Sequence, residues 1–234
     1  MKLHLPLTFS IFLFSLLLIT GCDKEEAFKN PTEVVFNLGM NPQGISPSDD
    51  LTFLDGYVVI HKFTVIGERA VGEGFEFSRT FPAGLKIPFY NNLTFEDLSF
   101  ELPQGAYNSL NVHFETASSS TPNVFVEGNY DYNNPLKPSS TVHLVWNTAK
   151  IFEVAILSPT GSSSFVLSET KKELPQIVFQ PKRWFANITE LMIENASFVS
   201  NPPQAQIMTI DQVTNTSIFT EIDSKIGLEL KCAL

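Results

Sequence analysis

From Thr32 onward, apolar and polar residues alternate with a period of two in short runs, separated by turn residues roughly every eight to twelve positions, the pattern of a sandwich or barrel. The alternation predicts strands over Glu33–Leu38, Tyr57–Ile66, Gly74–Arg79, Leu98–Leu102, Tyr107–Glu115 and Asn123–Glu127. Further strands are predicted over Thr141–Trp146, Ile151–Leu157, Ser164–Ser168, Gln176–Phe179, Gln206–Ile210 and Leu228–Lys231. No internal repeat or heptad pattern interrupts this series, and Pro and Gly are spread evenly, so residues 33–234 read as a single all-β domain, an antiparallel β-sandwich.

One connection is specific. Leu98, Phe100 and Leu102 alternate with Ser99 and Glu101, Pro103-Gln104-Gly105 turns the chain, and Leu110, Val112 and Phe114 resume the alternation, which predicts a hairpin. Tyr107 follows the turn and is expected to pack its ring on the core edge while its hydroxyl caps nearby backbone. Two short helices are expected near the C-terminus. Lys182–Leu191 places Trp184, Ile188 and Leu191 on one face, and Ser217–Ile226 does the same with Ile218, Phe219, Ile222 and Ile226, ahead of Gly227.

The first 32 residues follow a different pattern. Lys2 and the apolar run Leu5–Ile19 have the form of a secretory signal over residues 1–21, and a run of about 15 residues is short of the roughly 20 a membrane span needs. Ile19-Thr20-Gly21-Cys22 resembles a bacterial lipobox, in which the Cys22 thiol takes a diacylglyceryl group and tethers the chain to a membrane. Residues 22–32 then form a polar tether. Its Lys24, Glu25 and Glu26 resemble the surface-export signal of Bacteroidota lipoproteins, though charges after any anchor also keep a tether solvated. The expected address is the outer membrane, lipid-anchored and facing the cell exterior.

Charge narrows the partners. The whole chain carries 15 basic and 25 acidic side chains, and loss of Lys2 with the signal makes the balance more acidic. Such a surface repels phosphate, which argues against nucleic acid and against charge-driven binding to anionic lipid head groups. Cys22 goes to lipid and leaves Cys232 alone, so no intrachain disulfide is expected and the core must hold the fold.

A family resemblance rests on the order of several short motifs. The strand Gly56–Ile66 is followed by Leu-Pro-x-Gly-x-Tyr at 102–107, then Pro181-Lys182-Arg183-Trp184-Phe185, Ile193-Glu194-Asn195-Ala196 and a helix between Asn215 and Ile226. In this the chain resembles a group of uncharacterised Bacteroidota surface lipoproteins with a prealbumin-like β-sandwich. The resemblance implies a Greek-key sandwich and a location; the family carries no assigned reaction.

Catalytic motifs are sparse. There is no G-x-S-x-G elbow, no H-E-x-x-H and no Gly-rich phosphate loop. Asp49-Asp50 and Glu96-Asp97 are sequence neighbours, which on a strand point to opposite faces. His113 and His143 alternate away from apolar faces, whereas His61 shares its face with Val59 and Phe63; no spacing hints at a metal site. The most site-like segment is Asn129, Tyr130, Asp131, Tyr132 and Asn133. Its alternate oxygens suit a cation and its two rings suit a sugar, while a plain polar loop has the same composition. Asn134 and Ser140, where an EF-hand has Gly and Glu, exclude that motif.

These observations lead to an expected function: a non-catalytic, cofactor-free binding module on the cell surface, with a glycan as one ligand class. The alternative is an accessory subunit of an outer-membrane uptake or adhesive assembly, which binds protein. The two differ in what the fold should expose. A sugar site needs Tyr130 and Tyr132 in solvent, and a protein-binding subunit needs an apolar patch or an open strand edge.

Overall fold

The computed structural model describes residues 30–42, 50–89, 96–132, 139–168, 172–199 and 206–234. The signal segment, Cys22, Lys24, Glu25, Glu26 and Asn133 lie outside these described residues. The domain is all-β with a few short helices. Strands run β1 (Pro31–Val35), β2 (Asn37–Met40), β3 (Leu51–Arg69), β4 (Phe75–Pro88), β5 (Ser99–Pro103), β6 (Gly105–Glu115) and β7 (Val124–Tyr130). They continue as β8 (Ser140–Trp146), β9 (Ile151–Leu157), β10 (Phe165–Leu167), β11 (Gln176–Phe179), β12 (Gln206–Ile210) and β13 (Lys231–Ala233). Three helices are short: α1 (Pro181–Trp184), α2 (Glu190–Glu194) and α3 (Thr216–Asp223).

The main sheet has the order β12-β8-β7-β3-β6-β9-β13-β11-β2, with β4 added on β3 and β10 on β6; β1 and β5 form a separate pair. Most pairs are antiparallel, while β2–β11, β8–β12 and β9–β13 are parallel. The long strand β3 joins the two halves: Leu51–Val58 pairs with β7 and Lys62–Arg69 with β6. The inner faces of the two halves enclose one aromatic core. Trp184 lies 5.9 Å from Trp146 of β8 and 6.3 Å from Phe179 of β11, two strands far apart in the sheet order. Phe179 in turn meets Phe89, Phe114 and Phe152 at 4.7, 6.2 and 5.7 Å.

Several expectations change. The predicted hairpin across Pro103-Gln104-Gly105 is a corner: β5 pairs with β1, and β6 pairs with β3, β9 and β10. The Tyr107 hydroxyl donates to the Pro103 carbonyl, and Arg69 Nη2 donates to the Gln104 carbonyl at 3.0 Å, so both tie down the corner. Gly105 has φ 129°, a conformation that a side chain would strain. The first predicted strand is two, broken at Phe36, whose ring lies 5.3 Å from Phe63 and 6.0 Å from Phe100. With Val34, Val35 and Phe36 buried in succession, the chain is covered on all sides as it crosses from β5 to β11. The tether is correspondingly shorter than expected, since Pro31 and Thr32 already belong to β1.

The helix expected over 182–191 is two helices. Thr189 restarts the chain as N-cap of α2, its hydroxyl accepting from Met192 N at 3.3 Å, and Leu191 ends up 65% exposed while Ile193 is buried. The closing helix buries Ile218, Phe219, Ile222 and Ile226 as the pattern predicts. It ends at Asp223, before Gly227. Asn215 precedes it at φ 54°, held by its side-chain bonds to Ser197 N, Ser197 O and Thr209 O. The last strand starts at Lys231 rather than Leu228, and Leu228 is 81% exposed.

Trp184 joins the halves through packing alone, because its indole N–H has no partner. Trp184→Ala is therefore expected to cost about 3–5 kcal/mol in urea unfolding. A loss below about 1 kcal/mol, a surface-like value, would show that the ring does not close the core.

Candidate functional site

β7 carries the segment that the sequence singles out to its end, paired with β3 at Leu51 and with β8 at Ser140. Strand alternation then decides which side chains face out. Asn129 is half-buried, Tyr130 is fully buried, Asp131 is exposed and Tyr132 is half-buried. The Tyr132 ring stands edge-on to Tyr130 at 4.9 Å, leans on Phe198 at 6.2 Å, and its hydroxyl accepts from Ser140 Oγ at 3.4 Å. Asp131 N donates to the Asp50 carbonyl at 2.9 Å, which ties this corner to the start of β3. The two tyrosines thus serve as packing, and they present no pair of exposed rings to a sugar. The Tyr130 hydroxyl is buried without a partner. Burial pushes it up to about 12, and the charges of Glu190 and Asp50 add to the rise.

The histidines do not converge. His61 lies on β3, His113 on β6 and His143 on β8, and β7 and β3 separate the last two in the sheet. The expected shared face of His61, Val59 and Phe63 fails because a bulge between Ile60 and Lys62 shifts the register: Phe63 is buried, whereas Val59 and His61 are half-buried. His143 Nε2 lies 3.2 Å from Glu127 Oε2, and its ring stands edge-on to Phe125. Among the described residues no three His, Cys, Asp or Glu are placed to hold a metal ion. Cys232 is buried, and burial pushes its thiol up to about 12, which makes it a packing group.

Among the described residues two open hollows are larger than the small one beside Asn37 and Gln176. One of about 580 Å³ lies between β4 and β5, but Arg79 crosses it, donating to Ser99 O at 3.0 Å with its guanidinium 5.1 Å from the Phe100 ring centre. The other, about 610 Å³, is a cleft between β9 and the segment leading into β13. Ile151, Val154, Ala155 and Leu157 form one wall, and Gly227, Leu228, Leu230 and Cys232 the other. β13 pairs with β9 only at Ile156 and Leu157, so the two strands fork and the earlier part of β9 faces the cleft. Ile151 and Leu228 stand at the mouth, 68% and 81% exposed, above the nearly buried Val154 and Leu230.

Sequence reasoning missed this cleft because alternation predicts a strand over 228–231 but not its pairing, and the strand starts only at Lys231. One signal was present: Ile151 shares the polar face of its strand with Glu153, an apolar side chain on the solvent side. Scans against protein-family models, curated proteins and solved structures found no match to the chain.

Tyr107, Tyr130 and Cys232 are all held up to about 12 when folded, against ordinary values near 10 and 8.5. Raised acids keep their proton longer in the folded state, so the stability they contribute is complete below about pH 8.5 and is lost as pH rises toward 12. Urea unfolding is expected to show this alkaline decline, and Tyr130→Phe to flatten it. Because the Tyr130 hydroxyl is buried without a partner, the variant should be as stable as the parent at pH 7, or up to about 1 kcal/mol more so. A variant that is over 1 kcal/mol less stable at pH 7 would contradict this account.

Proposed function

We propose that this chain is a non-catalytic protein-binding module, lipid-anchored in the outer membrane and facing the cell exterior. The cleft between β9 and β13 carries the reading: an apolar hollow of about 610 Å³ with exposed Ile151 and Leu228 at its mouth, beside the first part of β9, which β13 does not reach. Of the two functions expected from sequence, this favours the accessory subunit over the glycan receptor, since Tyr130 is buried and Tyr132 half-buried. The address is supported by the lipobox-like Ile19-Thr20-Gly21-Cys22 and by Lys24, Glu25 and Glu26, and the likeness to Bacteroidota surface lipoproteins agrees with it.

Intact cells test address and partner together. A photo-crosslinking residue at position 228 is expected to give a discrete protein adduct that Ile151→Glu abolishes, while the same residue at Val71, which is 82% exposed at the β3–β4 turn, gives none. External protease should remove the native domain and spare a chain with Lys24, Glu25 and Glu26 changed to Ala. Equal adducts at both positions, or none, would refute the protein-binding reading. A native domain protected from protease would refute the outward-facing address.

A further inference from the structure

The fork between β9 and β13 exposes backbone as well as side chains, and the backbone identifies what fits there. One step beyond the β6–β9 ladder, whose last pair is Glu115 and Ile151, Thr116 N donates to Lys150 O at 2.9 Å while Lys150 N donates to the Thr116 hydroxyl at 2.9 Å; the backbone bond makes Glu115 and Ile151 a non-hydrogen-bonded pair. Bonding direction alternates along an antiparallel strand. Phe152 and Val154 therefore turn their peptide groups toward β6, and Ile151 and Glu153 turn theirs toward the cleft. Leu157 has the same outward parity, and its carbonyl accepts from Leu234 N at 3.0 Å. β13 thus serves the outward side only from Ile156 onward. The outward N–H and C=O groups of Ile151 and Glu153 meet no strand among the described residues.

We propose that this edge is the docking site for an extended segment of another polypeptide, which adds to β9 as a strand and covers the apolar walls with alternate side chains. The proposal rests on the protein-binding reading above and specifies its ligand. Three observations favour an extended chain over other occupants. Unpaired strand groups at a regular spacing are matched in full only by another strand. The inner side chains Val154, Leu230 and Cys232 lie below the cleft mouth, where every second side chain of an added strand would point. Charges complete the match: Glu153 and Lys231 face the cleft from opposite walls, and neither is in an ion pair among the described residues. They select a segment with a basic side chain toward β9 and an acidic one toward β13.

The other long edge looks different. β4 pairs only with β3, but it carries Pro82, Pro88, Glu76, Arg79 and Lys86, the residues that blunt an edge, and Arg79 bonds the neighbouring Ser99 carbonyl. On the edge of β12, Val199 and Ile207 exchange backbone hydrogen bonds at 2.9 and 3.0 Å. The stretch of β9 from Ile151 to Glu153 has neither proline nor a covering strand.

The full-length lipoprotein in detergent micelles would be titrated with end-capped, fluorescent seven-residue peptides. These alternate valine or isoleucine with polar residues and include one lysine and one glutamate. A second set has the same side chains but N-methyl groups on alternate peptide nitrogens, which removes strand donors only. Saturable binding is expected for the first set, at least tenfold weaker for the N-methylated set. Glu153→Pro, which removes one outward N–H, should weaken it by a similar factor. Leu228→Glu, on the other wall, gives a second loss that does not depend on how β9 tolerates proline. Equal affinity for both sets would overturn strand addition and leave an apolar protein-binding cleft, so the broader reading would stand. No binding by any peptide would overturn the proposal, with the cell cross-link deciding the broader reading separately. Binding that appears only after deletion of residues 23–29 would assign the edge to the chain's own tether. Peptide-displaceable self-association would assign it to a second copy. Either result would overturn an external partner.

Discussion

Contact of Trp184 with both Trp146 and Phe179 is the interaction on which the rest of the fold depends. A sheet with this many strands has an apolar face too large to leave in water, and burying it requires the two halves to close on each other. β3 belongs to both halves and permits the closure. The indole pair is fixed from below, where Trp146 Nε1 donates to Asp223 Oδ1 at 2.7 Å and Lys150 pairs with the same carboxylate. That half-buried carboxylate ends α3, so the closing helix, the core and the start of β9 are tied together at one polar group.

The closure also produces the fork. β13 must pair with β9 in parallel and with β11 antiparallel, and it has three residues with which to do both. It covers the end of β9 and leaves the beginning open. The preceding segment leaves α3 and turns through residues 224–229, which holds Leu228 away from β9. An open edge beside an apolar wall is a liability for a free domain, and a protein retains one where a partner covers it. The cleft is therefore a consequence of chain length in the last strand and the natural candidate for a docking site.

Much of this was legible in the chain. The period-two runs located Ile151–Leu157, Gln176–Phe179 and Gln206–Ile210 at their observed bounds, because one face of each is buried and alternation records burial. Partners were not legible. Leu98–Leu102 and Leu110–Phe114 have a hairpin's pattern, yet pairing is set by the corner at Gly105 and by what β1 and β3 offer, which lie far away in sequence. The direction of the Tyr130 ring was not legible for a related reason. Asn129, Asp131 and their aromatic neighbours read as a loop, but β7 runs on to Tyr130 and turns that ring inward, because Leu51 and Ser140 extend the ladder to it. At the C-terminus, Leu228 and Leu230 fit a strand by pattern, and only the packing of α3 shows why Leu228 stays outside.

Hydrogen exchange of the unliganded full-length chain, resolved residue by residue along β9, tests the central claim most directly. The account predicts a two-residue alternation: slow exchange at Phe152 and Val154, whose amides face β6, and fast exchange at Ile151 and Glu153, whose amides face the cleft. Uniform protection from Ile151 to Leu157 would contradict it, because the edge would then be covered in the free protein and the fork would not be open.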